Sequence, residues 1–488
     1  VDLAFLSNAM NVEQWNCEVV DGPSDHKTVI LERRIGTCAH AEFQIQRFHD
    51  FSRADDVTII DSLERSLDYF RQSCSRYRDV NFAWEAFKNI VHSCISKFVP
   101  IKVRKINVRK PWITRPIIHL KRRIIRESRK GNGTAVSRLC RELKNEIRKS
   151  KREYYGKTLP SLLHSSPQKF WRTIVPKSHS NRCISMNGSE VSAVDAASDF
   201  NLGFRSVFVP DDGFRPVFET THRMIPQMKD IAFDLNGIVE LLRNVNIRKS
   251  QGPDRIPDEF IKRYADWVAQ YLQIIFGMSL NVGQVPTEWK CSRIIPIFKA
   301  GDSSLVTNYR PVSLLSNCSR LLEHIICKHI TEYLEENHML TFLQHGFRKG
   351  FSTVTALSEI VHDLALSIDS HSQTDVLFLH LSKAFDVVPH AKLMLKLAAY
   401  IPNPRVIAWL QDYLSGRSQF VEYNGHRSSR VDVISGVPQG SVLGPLLFLV
   451  FINDMLNGIK CKACLYADDC VIYNEIQCDT DRDTLQNS

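Results

Sequence analysis

The stretch "CLYADDCVIY", residues 464–473, leaves the chain few options. Two short apolar runs flank a pair of adjacent aspartates. Side chains alternate along a strand, so one unbroken strand would drive either Asp468 or Asp469 into the apolar side. A tight hairpin with both acids at its tip avoids that. It predicts two antiparallel strands with negative charge concentrated where they turn. Carboxylates held that close repel, and a divalent cation relieves the repulsion; Mg2+ favours carboxylate oxygens. Taken alone, Ala-Asp-Asp reads equally as a polar turn with no further role.

A second anomaly lies in "DVLFLHLSKAFDVVPH", residues 375–390. The apolar run reads as a strand leaving its sheet, and His380 interrupts it. Either His380 is a packed core histidine, or it stands where chemistry wants a different group. Two further segments carry chemical potential. In "SGVPQGSVLGPLLFLVFINDM", from Ser435, Gly436, Gly440 and Gly444 recur every fourth residue. Such glycines let another backbone or a base approach, and a helix start behind them suits a phosphate. An ordinary loop-to-helix junction is the plainer reading. In "IIPIFKAGDSSLVTNYRPVSLLS", from Ile294, Lys299 and Arg310 flank a polar loop between apolar runs. Two cations so placed can reach a triphosphate, though each singly reads as a surface charge.

With 488 residues there is room for two to four domains, and 43% hydrophobic with 24% charged content is that of a folded soluble chain. The apolar run "PLLFLVFI", from Pro445, is too short to span a bilayer, so no membrane domain is expected. The first residue is Val1, which reads as part of a longer chain. The 13 cysteines are scattered, and "CKAC" (Cys461 and Cys464) lacks a second pair to complete a zinc site. Reduced thiols in an intracellular protein, cytoplasmic or nuclear, are the expectation. The net charge of +10 is uneven: Lys102–Lys157 holds 20 Lys or Arg against 4 Glu, leaving the rest net negative. That concentration points to a polyanion.

Helical spacing places Trp84, Phe87, Val91, Ile95 and Phe98 on one face before Pro100, and Val136, Leu139, Leu143 and Ile147 on one face of a basic helix. Tyr154, Tyr155, Phe170 and Trp171 follow and are suited to stacking on bases. Residues 178–225, rich in Ser, Asp, Gly and Pro, read as a loosely structured connector. From Phe233 helices alternate with apolar strands, an α+β or α/β pattern.

Together these segments resemble the reverse transcriptase of non-long-terminal-repeat retrotransposons, of the LINE, jockey-like group. The resemblance rests on "QGPDRIPDEF", "NYRPVSLLS", "LEHIICKHITEYL", "QHGFRKGFSTVTAL", "LSKAFDVVPH", "SGVPQGSVLGPLLFLVFINDM" and "YADD", spanning roughly residues 235–475. "KPWIT", "KRRI", "REYY" and "KFW" resemble the linker before such polymerases. "GPSDHKTVIL" resembles the last strand of their endonuclease/exonuclease/phosphatase-like domain. The implied organisation is an endonuclease remnant at 1–35, a helical basic linker at 36–177, a connector at 178–230, and α+β right-hand polymerase fingers and palm at 231–488, with the thumb missing.

The resemblance implies an RNA-directed DNA polymerase acting on template RNA, primer DNA and deoxynucleoside triphosphates with Mg2+, or Mn2+. Asp468 and Asp469 would sit on the palm hairpin and bind metal. Gln439 and Gly440 would lie near the templating base and incoming nucleotide. Lys299 and Arg310 would hold the triphosphate, and Phe385 would stand against the sugar 2′ position. The reaction would be two-metal phosphoryl transfer.

The family's phrase is "DLSKAFD", and its first Asp falls at His380. The third metal-binding carboxylate is therefore replaced. Asp375 lies five residues upstream, on the opposite face and about 16 Å away along a strand, and Asp386 lies past the gating ring. A single imidazole nitrogen cannot bridge two hard cations as a carboxylate does. The sequence thus predicts a polymerase architecture with impaired catalysis. At the other end Asp25 and His26 match the endonuclease "SDH", as orienting acid and general base, but one terminal strand makes no nuclease. The competing readings are a catalytically dead nucleic-acid-binding remnant, a product that does not fold stably, and an unrelated metal-dependent hydrolase.

Overall fold

The computed structural model describes residues 15–21, 27–33, 44–106, 111–174, 185–186, 189–190, 192–216, 225–247 and 250–487. The chain divides into two compact units: residues 1–49 with 101–177, and residues 50–100 with 178–488. Among the described residues no helix is long and apolar enough to cross a membrane.

In the first unit, strands Trp15–Asp21 and Lys27–Arg33 pair antiparallel, the second beginning within "GPSDHKTVIL". Asp25 and His26 themselves lie outside the described residues. Strands Gln44–His49 and Ile101–Ile106 form a second antiparallel pair. The basic segment is helical. Helix Arg115–Arg129 leads through a short turn to helix Gly133–Glu153, whose start is capped by Asn132 accepting from the Ala135 amide. Leu139, on the face expected to be apolar, is buried, while Lys121, Arg122 and Arg123 are exposed. Trp112, Tyr154 and Tyr155 cluster beside these helices, with ring centroids 5.3–6.1 Å apart.

The second unit is built around one large apolar core. Helix Val80–Phe98 turns Trp84, Phe87, Val91 and Ile95 into it, as their spacing predicts, and helix Asp56–Tyr77 adds Ile59, Leu63 and Phe70. Each such buried apolar side chain contributes on the order of 1.5–3 kcal/mol. Residues 50–100 therefore belong to the larger unit, whereas the sequence reading placed them in the 36–177 linker. The same core takes in helices Ala265–Val282, Asn317–Glu336, His390–Tyr400, Pro404–Leu414 and Gly444–Ile452.

Two sheets flank this core. One has the order His426–Arg427, Arg417–Tyr423, Cys291–Phe298, Tyr309–Leu314, with Val431–Val433 also pairing on Arg417–Tyr423. The other is a three-stranded antiparallel sheet of Lys462–Tyr466, Asp469–Ile476 and Gln373–His380. Mixed helix and sheet confirms the α+β expectation.

One expectation is corrected. Residues 178–225 are not a loose connector throughout, because Ala193–Arg205 is a helix, capped where Ser192 accepts from the Asp195 amide. Ala196, Ala197, Phe200 and Phe204 are buried against Ile294 and Val421 of the first sheet. The Phe200 ring meets Tyr309 edge-on at 4.6 Å. Asp195, Ser198 and Asp199 on the solvated side, with the polar stretches around the helix, mask the apolar spacing of three or four residues beneath.

Candidate active site

The hairpin expected from "YADD" is present. Tyr466 pairs with Asp469 across a two-residue turn of Ala467 and Asp468, and Ala467 has φ +56°. That left-handed conformation is unusual for a residue with a Cβ, and the surroundings hold it. Gln344 Oε1 accepts from the Ala467 amide at 2.9 Å and from the Gly346 amide at 2.7 Å, while its Nε2 donates to the Ala467 carbonyl at 3.4 Å. The His345 amide donates to the Leu465 carbonyl at 2.8 Å. A Cβ at Gly346 would come within 2.4 Å of the Ala467 nitrogen. "QHG" is thus a backbone clamp on the acidic turn.

His380 ends the third strand of this sheet directly opposite Asp469. Its Nδ1 is 2.8 Å from Asp469 Oδ1 and 3.8 Å from Asp468 Oδ2. The Leu381 amide donates to the Asp468 carbonyl at 3.2 Å, closing the strand end onto the turn. The His380 side chain is 67% exposed, so it is no packed core histidine. Its strand is also more exposed than an apolar run suggests: Phe378 is 75% exposed. Asp375 pairs with Asn474, five residues away along the strand.

The glycine loop links two elements. The Val437 amide donates to the Phe385 carbonyl and the Gly436 amide to that of Val388, both at 2.8 Å. On the other side the Ser313 amide donates to the Gln439 carbonyl at 3.2 Å. Gly436 has φ +85° and Gly440 φ +99°, and a Cβ at Gly440 would meet the Ser313 carbonyl at 2.8 Å. The glycines therefore permit backbone-to-backbone approach, and the loop bridges the "LSKAFD" segment to strand 309–314. Gln439 Nε2 donates to Asp386 Oδ1 at 2.7 Å. Burial pushes the Asp386 carboxyl up, and the Gln439 hydrogen bond partly offsets this. Lys383, Asp386 and Gln439 line a cavity together with Pro311, Ser313 and Arg417.

Phe385 stacks on Phe448 with centroids 4.3 Å apart and meets Phe347 edge-on at 6.1 Å. Its ring plane is thus set by the 444–452 helix and by the "GF" of the clamp. Lys299 and Arg310 are both exposed in the first sheet's hairpin, where the Lys299 amide donates to the Asn308 carbonyl at 2.8 Å and Arg310 faces Ile297. The structure therefore brings His380, Asp468 and Asp469 together, joins Gln439 and Gly440 to the Phe385 segment, and puts Lys299 and Arg310 on the neighbouring sheet.

Two supporting residues escaped the sequence reading. Gln344 is one. Glu323 is the other: wholly buried, it accepts from the Val442 amide at 2.9 Å and the Leu443 amide at 3.5 Å, just ahead of the 444–452 helix. Burial pushes its carboxyl up, and those amides and the Arg417 charge pull it back. Glu323 stands as a charged residue among Leu321, Leu322, Ile325 and Ile326, which is a signal that marks it; Gln344, followed by His345 and Gly346, carries no such local signal.

Residues 297–486 match the family described as reverse transcriptase (RNA-dependent DNA polymerase). That segment thus matches a reverse-transcriptase domain. The chain's relationship is to the LINE-type elements: it is 32% identical over 269 residues to the probable RNA-directed DNA polymerase from transposon BS of Drosophila melanogaster, which covers 53% of this chain and 29% of the relative. It is 33% identical over 257 residues to that of transposon X-element of the same fly, covering 51% and 28%. The RNA-directed DNA polymerase from mobile element jockey is 32% identical over 225 residues, covering 46% and 24%. The chain spans under a third of the length of these relatives.

Proposed function

We propose that this chain has the architecture for RNA-templated synthesis of DNA from deoxynucleoside triphosphates, and that His380 impairs catalysis in it. The observation that carries the reading is the pairing of His380 with Asp469, its Nδ1 2.8 Å from Asp469 Oδ1, at the tip where Asp468 also turns. This is the position at which the family's phrase has Asp.

The residues fit a divalent cation in part. Asp468 and Asp469 offer two partly exposed carboxylates, a hard oxygen set suited to Mg2+. When bound, such ions neutralise charge on the transferring phosphoryl group and on the attacking and leaving oxygens. His380 does not fit as the third ligand. Its Nδ1 engages one of the oxygens of Asp469 that a cation would use, and it supplies no negative charge. Lys299 and Arg310 are available to a triphosphate, Gln439 and Gly440 to the templating pair, and Phe385 to the sugar face, where a ring set by Phe448 would exclude a ribose hydroxyl. A missing ligand worth roughly 4–7 kcal/mol of transition-state stabilisation slows turnover by about 10³–10⁵.

Primer extension on an RNA template in Mg2+ and then Mn2+ tests the polymerase assignment. Slow incorporation abolished by Asp468→Asn supports it; incorporation indifferent to that substitution contradicts it. A second reading, nucleic-acid binding without catalysis, is favoured by the exposed Lys and Arg of helices 115–129 and 133–153 beside the Trp112, Tyr154 and Tyr155 cluster. RNA affinity that falls steeply with salt, with no incorporation under any metal, selects it.

A further inference from the structure

Behind the acidic turn, three chemically different ligands converge. The ligand atoms of His345, Glu359 and Cys464 all lie within 4.8 Å of one another. They come from three separate elements: the clamp segment, helix Thr353–Asp369 and strand Lys462–Tyr466. His345 is 2% and Cys464 4% exposed, whereas the Glu359 side chain reaches solvent.

One tautomer of His345 satisfies every contact of the Thr355 hydroxyl. Thr355 Oγ1 donates to the Ser352 carbonyl at 2.8 Å and accepts from the Ser352 amide at 2.9 Å. It also meets His345 Nδ1 at 2.8 Å. With the hydroxyl proton assigned to the Ser352 carbonyl, the hydroxyl accepts from the ring and Nδ1 carries the hydrogen, so that all three contacts are made. Nε2 then faces Glu359 Oε2 at 3.1 Å, with the Cys464 sulfur alongside. Two states are consistent with this geometry. In one, a doubly protonated ring pairs with Glu359 and Cys464 is a bystander. In the other, the neutral ring turns its Nε2 lone pair to a cation that Glu359 and Cys464 share.

We propose the second: His345, Glu359 and Cys464 form a three-ligand site for a zinc-type divalent cation that staples the acidic hairpin to helix 353–369. An imidazole, a thiolate and a carboxylate make a borderline-soft set, suited to Zn2+ and not to Mg2+. Fixing the ring through Nδ1 to a hydroxyl is the outer support that metal-binding histidines need. Zn–ligand bonds of about 2.0–2.3 Å require the three atoms to draw in slightly, and the exposed, flexible Glu359 can supply that movement. The metal must displace the Cys464 proton, because burial, with the Glu359 charge adding to it, pushes the free thiol up to about 11. Cys461, its partner in "CKAC", takes no part: it packs with Leu456, Ala463 and Leu465 on one face of the strand, while Cys464 packs with Ala356, Ile360 and Tyr473 on the other. The staple closes next to Leu465, whose carbonyl already accepts from the His345 amide.

Cobalt titration of the full chain, stripped of metal by chelation, tests this. The expected result is one equivalent bound with a thiolate-to-cobalt charge-transfer band, displaced by Zn2+. The band disappears in Cys464→Ser and persists in Cys461→Ser. Glu359→Gln, a surface change that leaves the fold alone, weakens binding at least about tenfold, and Thr355→Val weakens it about 10- to 100-fold. A wild-type chain with no thiolate band, a band that survives Cys464→Ser, or an affinity unchanged in Glu359→Gln overturns the proposal.

Discussion

At position 380 the proposed defect comes down to an imidazole standing where the related phrase has a carboxylate. The imidazole engages Asp469 and leaves the tip with two carboxylates where the related phrase implies three. Neighbours do not substitute: Asp375 is opposite Asn474, well down the strand, and Asp386 is committed to Gln439. Position 344 matters for a different reason. The Gln344 side chain satisfies both the amide and the carbonyl of Ala467, which are otherwise unpaired at a left-handed turn. Gln344→Ala strands these buried groups, at about 1–3 kcal/mol. Denaturant unfolding is expected to show that loss, with faster amide exchange in the 462–476 hairpin; wild-type stability would contradict the clamp. His380 stood out in the sequence because a polar residue interrupted an apolar run. Gln344 did not, because its flanks are themselves polar and its partner lies 123 positions away.

Among the elements, the acidic hairpin was legible because adjacent acids between apolar runs admit few geometries. Its support was not, since a close approach between Gly346 and Ala467 has no local signature. Gly346→Ala places a Cβ 2.4 Å from the Ala467 nitrogen, so the turn must shift. A destabilisation of about 1–3 kcal/mol is expected, read by thermal or denaturant unfolding; a neutral outcome would show that the contact is not tight. The long apolar helices were legible from their spacing. Helix 80–98 buries Trp84, Phe87, Val91 and Ile95 as expected. Helix 193–205 was missed because the Ser-, Asp-, Gly- and Pro-bearing stretches on either side of it read as loop, and only packing of Phe200 against Tyr309 and Tyr423 shows what its apolar residues are for. The extent of the larger unit was missed for a related reason. Helices 56–77 and 80–98 precede the basic segment in sequence yet join the core of elements some two hundred residues later, as where Tyr264 donates to Asp56 at 2.7 Å.

For the molecule as a whole, stability carries a pH signature. The "QGPDRIP" turn holds a buried Asp254, whose Oδ2 accepts from Ser316 Oγ at 2.5 Å. Burial pushes Asp254 up to about 6 from 3.8, against the pull of Ser316 and the Ile256 amide. Between these values the folded state holds a proton that the unfolded chain has released. Stability from this group is therefore greatest at low pH and falls as pH rises from about 4 to 6, by about 3 kcal/mol. Asp254→Asn removes that dependence, so its stability relative to wild type is expected to rise by that amount between pH 4 and pH 7 in denaturant unfolding; a constant difference would refute it. The proposal that His380 slows catalysis in this chain is checked by one rate. It is the single-turnover rate of incorporating one deoxynucleotide on a primed RNA template in Mg2+, measured for the chain and for His380→Asp at saturating template. The variant is expected to be faster by about 10³–10⁵; equal rates, or no incorporation by either protein, would refute the proposal.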